Sequence, residues 1–596
     1  MKKLNELRNA ILYIPKLFHL VYRTDRLYLF YMIGETLAFA SMQYPAVLLS
    51  KYALDAMQTN RPFVQFTIVC SAFILLQLAI SLIKSLFNNL RPSRELLVKG
   101  RLYNAFHRKC MELDYELLAE KEIQELLSFA GEFIENKLND TVWKFISLFS
   151  SLIAFIVSCV LLTAVNFWLI LAAIVGLLLD SVVLTVIIPK RFTLNKQLSA
   201  DNRYIRYHHE LATSEDAAKD VRIFDMANSI IDRTSKKTRD MLVLEKQKNR
   251  LDIIQSILNL LTSHGTNWLV YMVLGLLALN GELSIGSLSL SIGNLSLFRK
   301  YFEDISETLV GYTETAKHIE YYNRFMELES QFHKTGIMPL EMKKEEAFQI
   351  EFRNVFFRYP GQTEYTLENF NLIIKSGEKI SVIGENGAGK STFVKLLMRL
   401  YDPSAGEILF NGVDIKQFNY EQYLSIFAPI FQDYKLFAFT VRENISAFEE
   451  SDLPHIIEAA QRSGIDHRIQ ELPHKYDTYL TKQFDEDGLN FSGGEQQKIA
   501  IARTYFKSQA LITILDEPTS ALDIRAERTL YKHFNDLIGA NTAFFISHRL
   551  SSSKFCDKII VIKKKRVAEY GSHKELMAKK GDYYALYSMQ ASYYQS

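Results

Sequence analysis

The sequence predicts a multidomain membrane protein, in which an all-α transmembrane domain of six helices precedes an α/β domain with a phosphate-binding loop. Three observations predict this class. Long apolar runs lie before about residue 300, and strand-like runs punctuated by glycine begin at Phe348. The segment Gly384–Thr392 fits the pattern G-x-x-x-x-G-K-[ST], which joins a strand to a helix in phosphate-binding folds. At 596 residues the chain is also too long for one compact core.

The composition excludes several classes of site and partner. A formal net charge of +2 gives no case for nucleic acid as the main partner. The first apolar run begins too late and is too long for a cleavable signal peptide. Four cysteines have neither metal-ligand nor disulfide-framework spacing, so we expect free thiols: Cys70, Cys110, Cys159 and Cys556.

Six apolar segments are each about long enough to cross a hydrocarbon core of roughly 30 Å, which takes about 20 helical residues. They lie at about 27–50, 62–87, 142–165, 167–189, 252–279 and 285–312. The connections 88–141 and 190–251 are rich in Lys and Arg, so the positive-inside bias places them and both termini in the cytoplasm. Residues 4–22 suit a helix on the membrane surface, or a plain amphipathic surface helix.

Polar residues inside these segments allow two interpretations. A charge that faces lipid is costly, so Glu35 and Asp180 are expected to face a wet cavity or a partner helix. With His264, they belong either to a substrate path or to interhelical hydrogen bonds, and we favour the second interpretation. A charged stretch follows the last span. We therefore assign residues 1–330 to the transmembrane domain, 331–347 to a linker and 348–596 to the α/β domain.

The phosphate-binding loop combines three kinds of donor. Its backbone N–H groups and the following helix start attract the phosphates, Lys390 adds a point charge, and Ser391 offers a hydroxyl to Mg²⁺. By itself the pattern also fits a chance glycine-rich turn. The loop residues expected to bind nucleotide are Gly384, Asn386, Gly387, Gly389, Lys390, Ser391 and Thr392.

Further short motifs surround the loop in a fixed order. Tyr359 precedes it, and an aromatic residue there suits either adenine stacking or ordinary packing. The motif residues that follow the loop are Gln432, Ser492, Gly493, Gly494, Asp516, Glu517, Asp523 and His548.

Taken together, these motifs resemble those of ABC exporter half-transporters, six-helix membrane domains followed by one ATP-binding domain, over nearly the whole chain. The resemblance implies that Ser391, Gln432 and Asp516 hold Mg²⁺ and that Glu517 is the general base. Gln432 would sense the attacking water, and His548 would orient the γ-phosphate.

The resemblance also implies that the ATP site is shared. Ser492, Gly493 and Gly494 would donate to a γ-phosphate held by the opposite subunit, and Asp523 would couple the two sites. The position after them is usually Gln, whereas here it is Glu495, whose charge would weaken the closed state unless the side chain points away. Because the other motif residues are present, we expect a competent ATPase.

Two cytoplasmic stretches, Leu113–Leu127 and Ser214–Phe224, resemble the coupling helices of such exporters. Each would dock on an ATP-binding domain near Gln432; the alternative is that they are amphipathic loop helices that simply pack. Glu486 lies where exporters carry an acidic cross-linking loop.

The implied function is ATP-driven export across the cytoplasmic membrane by alternating access. A dimer is required, and a homodimer is expected, with a heterodimer with a related half-transporter left open. The motifs are similar to those of Gram-positive exporters of bacteriocin or lanthipeptide peptides, and no leader-cleaving peptidase domain is expected before the membrane domain. A multidrug or lipid exporter is the alternative, and the six spans disfavour a soluble ABC ATPase. The expected partners are membrane lipid and the exported substrate.

Overall fold

The structure, a computed structural model, describes residues 15–59, 61–330, 332, 336–343, 346–449, 452–517, 541–546, 553 and 556–593. Within these ranges it leaves out the side chains of part of 172–216, part of 307–317 and 590–593. The chain divides into two compact units, each considered by itself. The first is Met1–Lys109 with Leu126–Glu327, and the second is Cys110–Glu125 with Leu328–Ser596. The four cysteines are free thiols, as expected.

Between residues 15 and 327, all regular secondary structure among the described residues is helical. After a helical stretch over 15–24, the helices are α1 Arg26–Ser41, α2 Tyr44–Gln58, α3 Phe63–Glu112, α4 Tyr115–Leu118, α5 Lys121–Glu132, α6 Leu138–Val165, α7 Phe167–Thr213, α8 Glu215–Ile223, α9 Ala227–Leu279 and α10 Ile285–Glu327. A π-helical turn, Phe133–Lys137, joins α5 to α6.

The first predicted span, 27–50, consists of two helices and not one. Helix α1 ends at Ser41, and α2 begins at Tyr44 with Pro45 in its first turn. Proline is tolerated at a helix start because its missing N–H would have no intrahelical partner there, whereas in a helix interior it breaks the hydrogen-bond ladder.

Four helices are far longer than a bilayer requires. Helices α3, α7, α9 and α10 contain 50, 47, 53 and 43 residues. At a rise of about 1.5 Å per residue they reach roughly 65–80 Å, whereas the hydrocarbon core is about 30 Å thick. Among the described residues, α3 and the stretch Lys121–Val165 are long and apolar enough to cross a membrane. The six-span topology stays a prediction.

Apolar side chains hold the long helices together. Helix α7 packs along α9, and α10 packs along α6 and α2. A buried cluster contains residues from α6, α7, α9 and α10: Leu162, Leu169, Ala173, Leu177, Val270, Leu274, Leu295 and Phe298. These helices therefore share one core within the first unit.

The structure pairs one of the polar residues that stood out within the spans. Glu35 on α1 accepts a hydrogen bond from Arg91 on α3 at 2.9 Å, with side chains only 14% and 18% exposed. A buried carboxylate is stable only when it is paired, so this contact accounts for Glu35 as a helix–helix interaction. His264 is exposed on α9, and the side chain of Asp180 lies outside the described residues.

The second unit contains two sheets. Its strands are β1 Gln349–Phe357, β2 Leu367–Lys375, β3 Lys379–Gly384, β4 Ala405–Phe410, β5 Val413–Asp414, β6 Phe427–Ile430, β7 Ile512–Asp516, β8 Thr542–Ile546, β9 Lys558–Lys563 and β10 Arg566–Gly571. An antiparallel sheet has the order β2-β1-β4-β5, and a six-stranded sheet has the order β10-β9-β3-β8-β7-β6. In the second sheet all strands except β10 are parallel.

Helices follow several of these strands. They are α11 Lys390–Leu397, α12 Tyr420–Ser425, α13 Val441–Ser446, α14 Leu453–Ser463, α15 Asp466–Gln470, α16 Gly493–Phe506, α17 His573–Lys579 and α18 Asp582–Tyr593. The central strands β7 and β8 are buried at every residue, as expected for parallel strands covered on both faces. The carboxyl ends of β3, β6, β7 and β8 meet at one edge, the usual ligand-binding edge of such sheets.

The short helix α4 belongs to the second unit. It lies in the connection 88–141, more than two hundred residues before the start of the predicted α/β domain. The ring of Tyr115 meets the ring of Tyr401 edge-on at 5.6 Å. Asp114 accepts a hydrogen bond from Ser330. Burial, and then the nearby charge of Asp402, raise the pKa of Glu116 above its ordinary value.

Candidate functional site

The loop between β3 and α11 owes its path to two glycines with positive φ, Gly387 at +78° and Gly389 at +104°. A Cβ at Gly389 would lie 2.5 Å from a methyl carbon of Leu367, so a larger residue would also collide with β2. At Gly384 a Cβ would lie 2.4 Å from the carbonyl oxygen of Ile562. Glycine is therefore required at both glycine positions of the pattern, for different reasons: backbone angle together with space at Gly389, and space alone at Gly384.

Lys390 begins α11 and folds back onto the loop. Its Nζ donates to the carbonyl oxygens of Gly384 at 2.9 Å and Glu385 at 3.1 Å. Burial lowers the pKa of Lys390, while the charges of Glu517 and Asp516 act in the opposite direction. The loop therefore holds a partly desolvated cation that gains a stronger partner when an anion enters.

Tyr359 lies against the same loop. Its hydroxyl is 2.9 Å from the hydroxyl of Thr392, and its ring packs edge-on against Tyr401 at 5.3 Å. The Nζ of Lys395 lies 5.7 Å from the ring centroid. These contacts fix the ring beside the loop, and adenine stacking stays a prediction.

The ends of β6 and β7 bring two predicted catalytic residues together. Gln432 follows β6 and donates through Nε2 to Oε2 of Glu517 at 2.9 Å. Glu517 has a φ of +50°, and its backbone N–H donates to the carbonyl of Ile546 at 2.9 Å. The glutamate thus turns away from the line of β7 and toward Gln432.

Asp516 ends β7 and is 7% exposed. Burial, followed by the charge of Glu517, raises its pKa to about 6. Adjacent carboxylates in a buried position repel each other, so this edge favours a bound cation.

The predicted metal ligands fit Mg²⁺. This ion prefers oxygen donors and keeps several waters, so one carboxylate, one hydroxyl and the phosphates of a nucleotide suffice. Asp516 supplies a carboxylate whose negative charge is not fully balanced by nearby cations. Ser391 supplies an exposed hydroxyl in the first turn of α11. Gln432 adds an amide oxygen beside them, because its nitrogen is the atom bonded to Glu517.

Ser492 caps helix α16. Its hydroxyl accepts from the backbone of Glu495, and the Glu495 carboxylate accepts from the backbone N–H of Ser492 at 2.8 Å. Both halves of a capping box are present, which explains where this 14-residue helix begins. The hydroxyl of Tyr434 donates to the carbonyl of Gly493 at 3.3 Å. The start of α16 is the positive end of a helix dipole, which favours a nearby anion.

The structure therefore places the phosphate-binding loop, Gln432, Asp516 and Glu517 at one edge of the parallel sheet. The side-chain hydrogen bonds of Ser492 go to Glu495 instead. His548 and Asp523 lie outside the described residues. Glu486 lies in a turn that is closed by a hydrogen bond from the N–H of Gly488 to the carbonyl oxygen of Asp485, at 3.1 Å.

Three residues near the site carried no signal in the sequence. Tyr401 contacts both Tyr359 and Tyr115, Tyr434 binds the start of α16, and Arg468 pairs with Glu495 at 3.0 Å. None belongs to a recurring motif, and each contacts residues distant along the chain. In aligned relatives, a basic residue at position 468 that accompanies an acidic residue at position 495 is the signal that would reveal this pair.

Comparison with known proteins agrees with this geometry. The profile of the family described as ABC transporter matches residues 367–520. The subtilin transport ATP-binding protein SpaT of Bacillus subtilis is 28% identical, over 96% of this chain and 94% of that protein. The nisin transport ATP-binding protein NisT of Lactococcus lactis subsp. lactis is 31% identical, over 76% of this chain and 77% of that protein.

One solved structure shows the same fold along nearly the whole chain. It is a bacterial Atm1-family ABC exporter with ATP bound, with a TM-score of 0.78 and 23% sequence identity. The match covers 95% of this chain and 98% of that one.

Proposed function

The chain belongs to the ABC transporter family, with the architecture of an exporter-type half-transporter, and on that premise we propose that it exports a bacteriocin- or lanthipeptide-type peptide as a homodimer. Its basic activity is ATP-driven export, an ATPase coupled to transport in a membrane protein. The observation that carries the ATP-driven part of the proposal is the edge of the sheet where Gln432 lies 2.9 Å from Glu517, beside Asp516 and the phosphate-binding loop.

The residues at this edge have different roles in ATP hydrolysis. Lys390 and the loop N–H groups hold the phosphates, and Gln432 and Glu517 position a water in line with the γ-phosphate. Glu517 accepts the proton of that water as it attacks. Asp516, Ser391 and Gln432 would hold Mg²⁺, which would neutralise phosphate charge. His548 is assigned the γ-phosphate on the resemblance alone.

A homodimer completes the nucleotide site. The capped start of α16, with Ser492 to Gly494, offers hydroxyl and N–H donors that a γ-phosphate attracts. A loop of one copy and an α16 of the other would enclose each ATP between them. The intact motif set supports two equal sites.

The second long loop supports pairing of two copies. Helix α8 ends at Ile223, and the side chains of Ile223 and Phe224 are 70% and 71% exposed, with Met226 at 44%. Such an apolar tip on a charged cytoplasmic loop is unusual for a surface that faces water. We assign it to the ATP-binding unit of the partner copy, and α4, which contacts Tyr401, to that of its own copy.

A polar cavity supports a peptide as the substrate. The first unit contains a cavity of about 560 Å³ between α3 and the start of α6. Its lining residues are Arg91, Glu95, Lys99, Glu135, Asn136, Asn139, Asp140 and Trp143. The lining is charged, with both signs present and one aromatic ring.

This lining suits a peptide better than an apolar drug or a lipid chain. Arg91 pairs with Glu35 and Lys99 with Glu95, but a drug that covered these charged groups would remove their water without supplying new hydrogen bonds, which is costly. A peptide supplies backbone N–H and C=O groups along with amine and carboxylate side chains. The names of the two relatives refer to subtilin and nisin transport, and they supply the bacteriocin class.

The test is transport by the full chain in reconstituted vesicles. Peptide, fluorescent lipid and drug substrates are offered with Mg-ATP, and the Glu517→Gln variant is the background control. We expect ATP-dependent uptake of peptide alone. Uptake of drug or lipid without peptide would support the alternative exporter class instead.

A cavity variant refines this test. Glu135→Gln removes a lining charge, so we expect it to raise the KM for a cationic peptide several-fold while ATP hydrolysis without peptide is unchanged. Glu210→Gln, an exposed glutamate on α7 that does not line the cavity, is the matched control. Equal KM values for both variants would contradict the assignment of this cavity.

A further inference from the structure

A charged pair lies beside the capped serine of α16. Arg468, in the short helix α15, has its Nε 3.0 Å from Oε1 of Glu495. Its Nη1 is 3.0 Å from Oε2 of Glu471, one turn further along. The guanidinium thus joins a carboxylate near its own helix to the carboxylate at the start of α16. The resemblance to ABC exporters implies glutamine at the position of Glu495.

The other oxygen of Glu495 engages Ser492. Oε2 accepts from the Ser492 backbone N–H and from its hydroxyl, both at 2.8 Å. A serine hydroxyl has one proton, so it cannot donate to a phosphate while it donates to Glu495. An ionised carboxylate is also a stronger acceptor than the amide oxygen of glutamine. Glu495 therefore opposes phosphate binding in two ways. Its negative charge repels the phosphate, and its carboxylate accepts the hydrogen bond of the Ser492 hydroxyl.

Arg468 weakens both effects. Burial acts to raise the pKa of Glu495, but the hydrogen bonds from Ser492 and the pairing with Arg468 outweigh it, so that the pKa lies below its ordinary value. The carboxylate stays ionised and shares its charge with the guanidinium. An acceptor that already binds a cation attracts the serine proton less strongly, because part of its charge is neutralised.

We propose that Arg468 is a positioning residue of the nucleotide site: by pairing with Glu495, it lets the Ser492 hydroxyl turn to the γ-phosphate of the partner copy. The Arg468–Glu495 pair then takes the place of one neutral glutamine. This inference rests on the proposed ATP-dependent pairing of two copies.

A double-mutant cycle on the full chain tests the inference. Arg468→Gln leaves Glu495 without its cation, so we expect the KM for Mg-ATP to rise about tenfold while kcat changes less than about twofold. Glu495→Gln removes the charge that Arg468 offsets. In that background, Arg468→Gln should change KM by less than about twofold, so the rescue identifies the pair.

A similar ion pair on α14 supplies the matched control. Arg462 pairs with Glu458 at 2.6 Å, and its side chain is 54% exposed, compared with 47% for Arg468. Arg462→Gln removes one surface arginine of the second unit, on α14, and leaves the Ser492–Glu495 capping box unchanged. We expect it to leave the KM for Mg-ATP unchanged.

Two outcomes overturn the inference. One is an unchanged KM in Arg468→Gln, and the other is an equal rise in KM in both backgrounds, since a merely structural role needs no Glu495. If Arg468→Gln does not fold, Arg468→Lys replaces it, with a smaller rise in KM that Glu495→Gln again abolishes. Wild-type chain that neither hydrolyses ATP nor pairs in its presence would contradict the proposed function instead.

Discussion

At the scale of single residues, Glu517 shows how one backbone angle sets the chemistry of the site. Its φ of +50° lies in a region that residues other than glycine rarely adopt. Such a conformation costs about 1–3 kcal/mol and persists only where the surroundings enforce it. Here the bond from its N–H to Ile546 and the bond from Gln432 do so. This backbone angle directs the carboxylate of Glu517, the proposed general base, toward Gln432.

Replacing this carboxylate by an amide tests its role as the base. Glu517→Gln keeps the size of the side chain and can still accept a hydrogen bond from Gln432, but it cannot take a proton. We expect steady-state ATP hydrolysis to fall by about 10²–10⁴-fold while ATP binding persists. Glu421→Gln, at an exposed position on α12, is the control. Hydrolysis retained by Glu517→Gln would show that the base is another group.

Gly389 provides a second test, because backbone angle and space both exclude other residues there. Gly389→Ala forces a Cβ to within 2.5 Å of Leu367 at a φ of +104°, so we expect ATP affinity to fall by at least about tenfold. Gly412, with a φ of +80° and nothing near its Cβ position, is the matched control. Gly412→Ala should cost about 1–2 kcal/mol of stability and leave ATP affinity unchanged. Equal losses of affinity in a nucleotide-binding assay would contradict this reasoning.

At the scale of elements, a series of tyrosine rings connects the nucleotide loop to helix α4. Tyr359 contacts Tyr401 at 5.3 Å, and Tyr401 contacts Tyr115 at 5.6 Å, each pair at 89°. Edge-to-face pairs of this kind contribute about 0.5–1.5 kcal/mol beyond the area they bury. A displacement of the Tyr359 ring on nucleotide binding would therefore shift the rings of Tyr401 and Tyr115. For this reason we propose α4, which contains Tyr115, as the coupling element.

Removing the Tyr115 ring should separate hydrolysis from transport. In Tyr115→Ala, we expect ATP hydrolysis without substrate to stay within about twofold of wild type, because no group of the nucleotide loop is touched. Transport per ATP consumed should fall several-fold, measured in vesicles. Tyr115→Phe keeps the ring and should retain coupling. A Tyr115→Ala protein with unchanged transport would show that α4 only packs.

At the scale of the whole molecule, the proposed homodimer divides each ATP site between two copies. Within one copy, the phosphate-binding loop lies at the edge of the parallel sheet, while the side chain of Ser492 bonds to Glu495. Each copy would supply a loop to one site and an α16 to the other. Defects in the two elements should then complement each other.

Mixing two inactive chains tests this division. Lys390→Ala removes the loop cation, and Ser492→Arg blocks the start of α16. Each variant alone should be inactive because both of its sites are defective. Chains with different affinity tags, co-expressed and purified through both tags, should regain up to about half of wild-type ATPase activity, because one site is built from two intact parts. No recovery in the doubly purified dimer would contradict the shared site.

Local patterns in the sequence reveal the phosphate-binding loop and the acidic strand end at Asp516, whereas the places of Gln432 and Glu517 in the site followed from the resemblance to ABC exporters. The glycine-lysine loop follows β3, Gln432 follows β6, and Asp516 ends β7. The carboxyl ends of parallel strands meet at one edge, which is the physical reason that these residues lie together in the fold.

The fold, and not any local pattern, settles which distant groups neutralise one another. It paired Arg468 with Glu495 and Arg91 with Glu35, and it placed Cys110–Glu125 in the second unit. No short pattern encodes such contacts, because they join segments far apart along the chain whose distance depends on the path of everything between them. The sequence shows which positions carry a charge, whereas the fold determines which partner neutralises that charge.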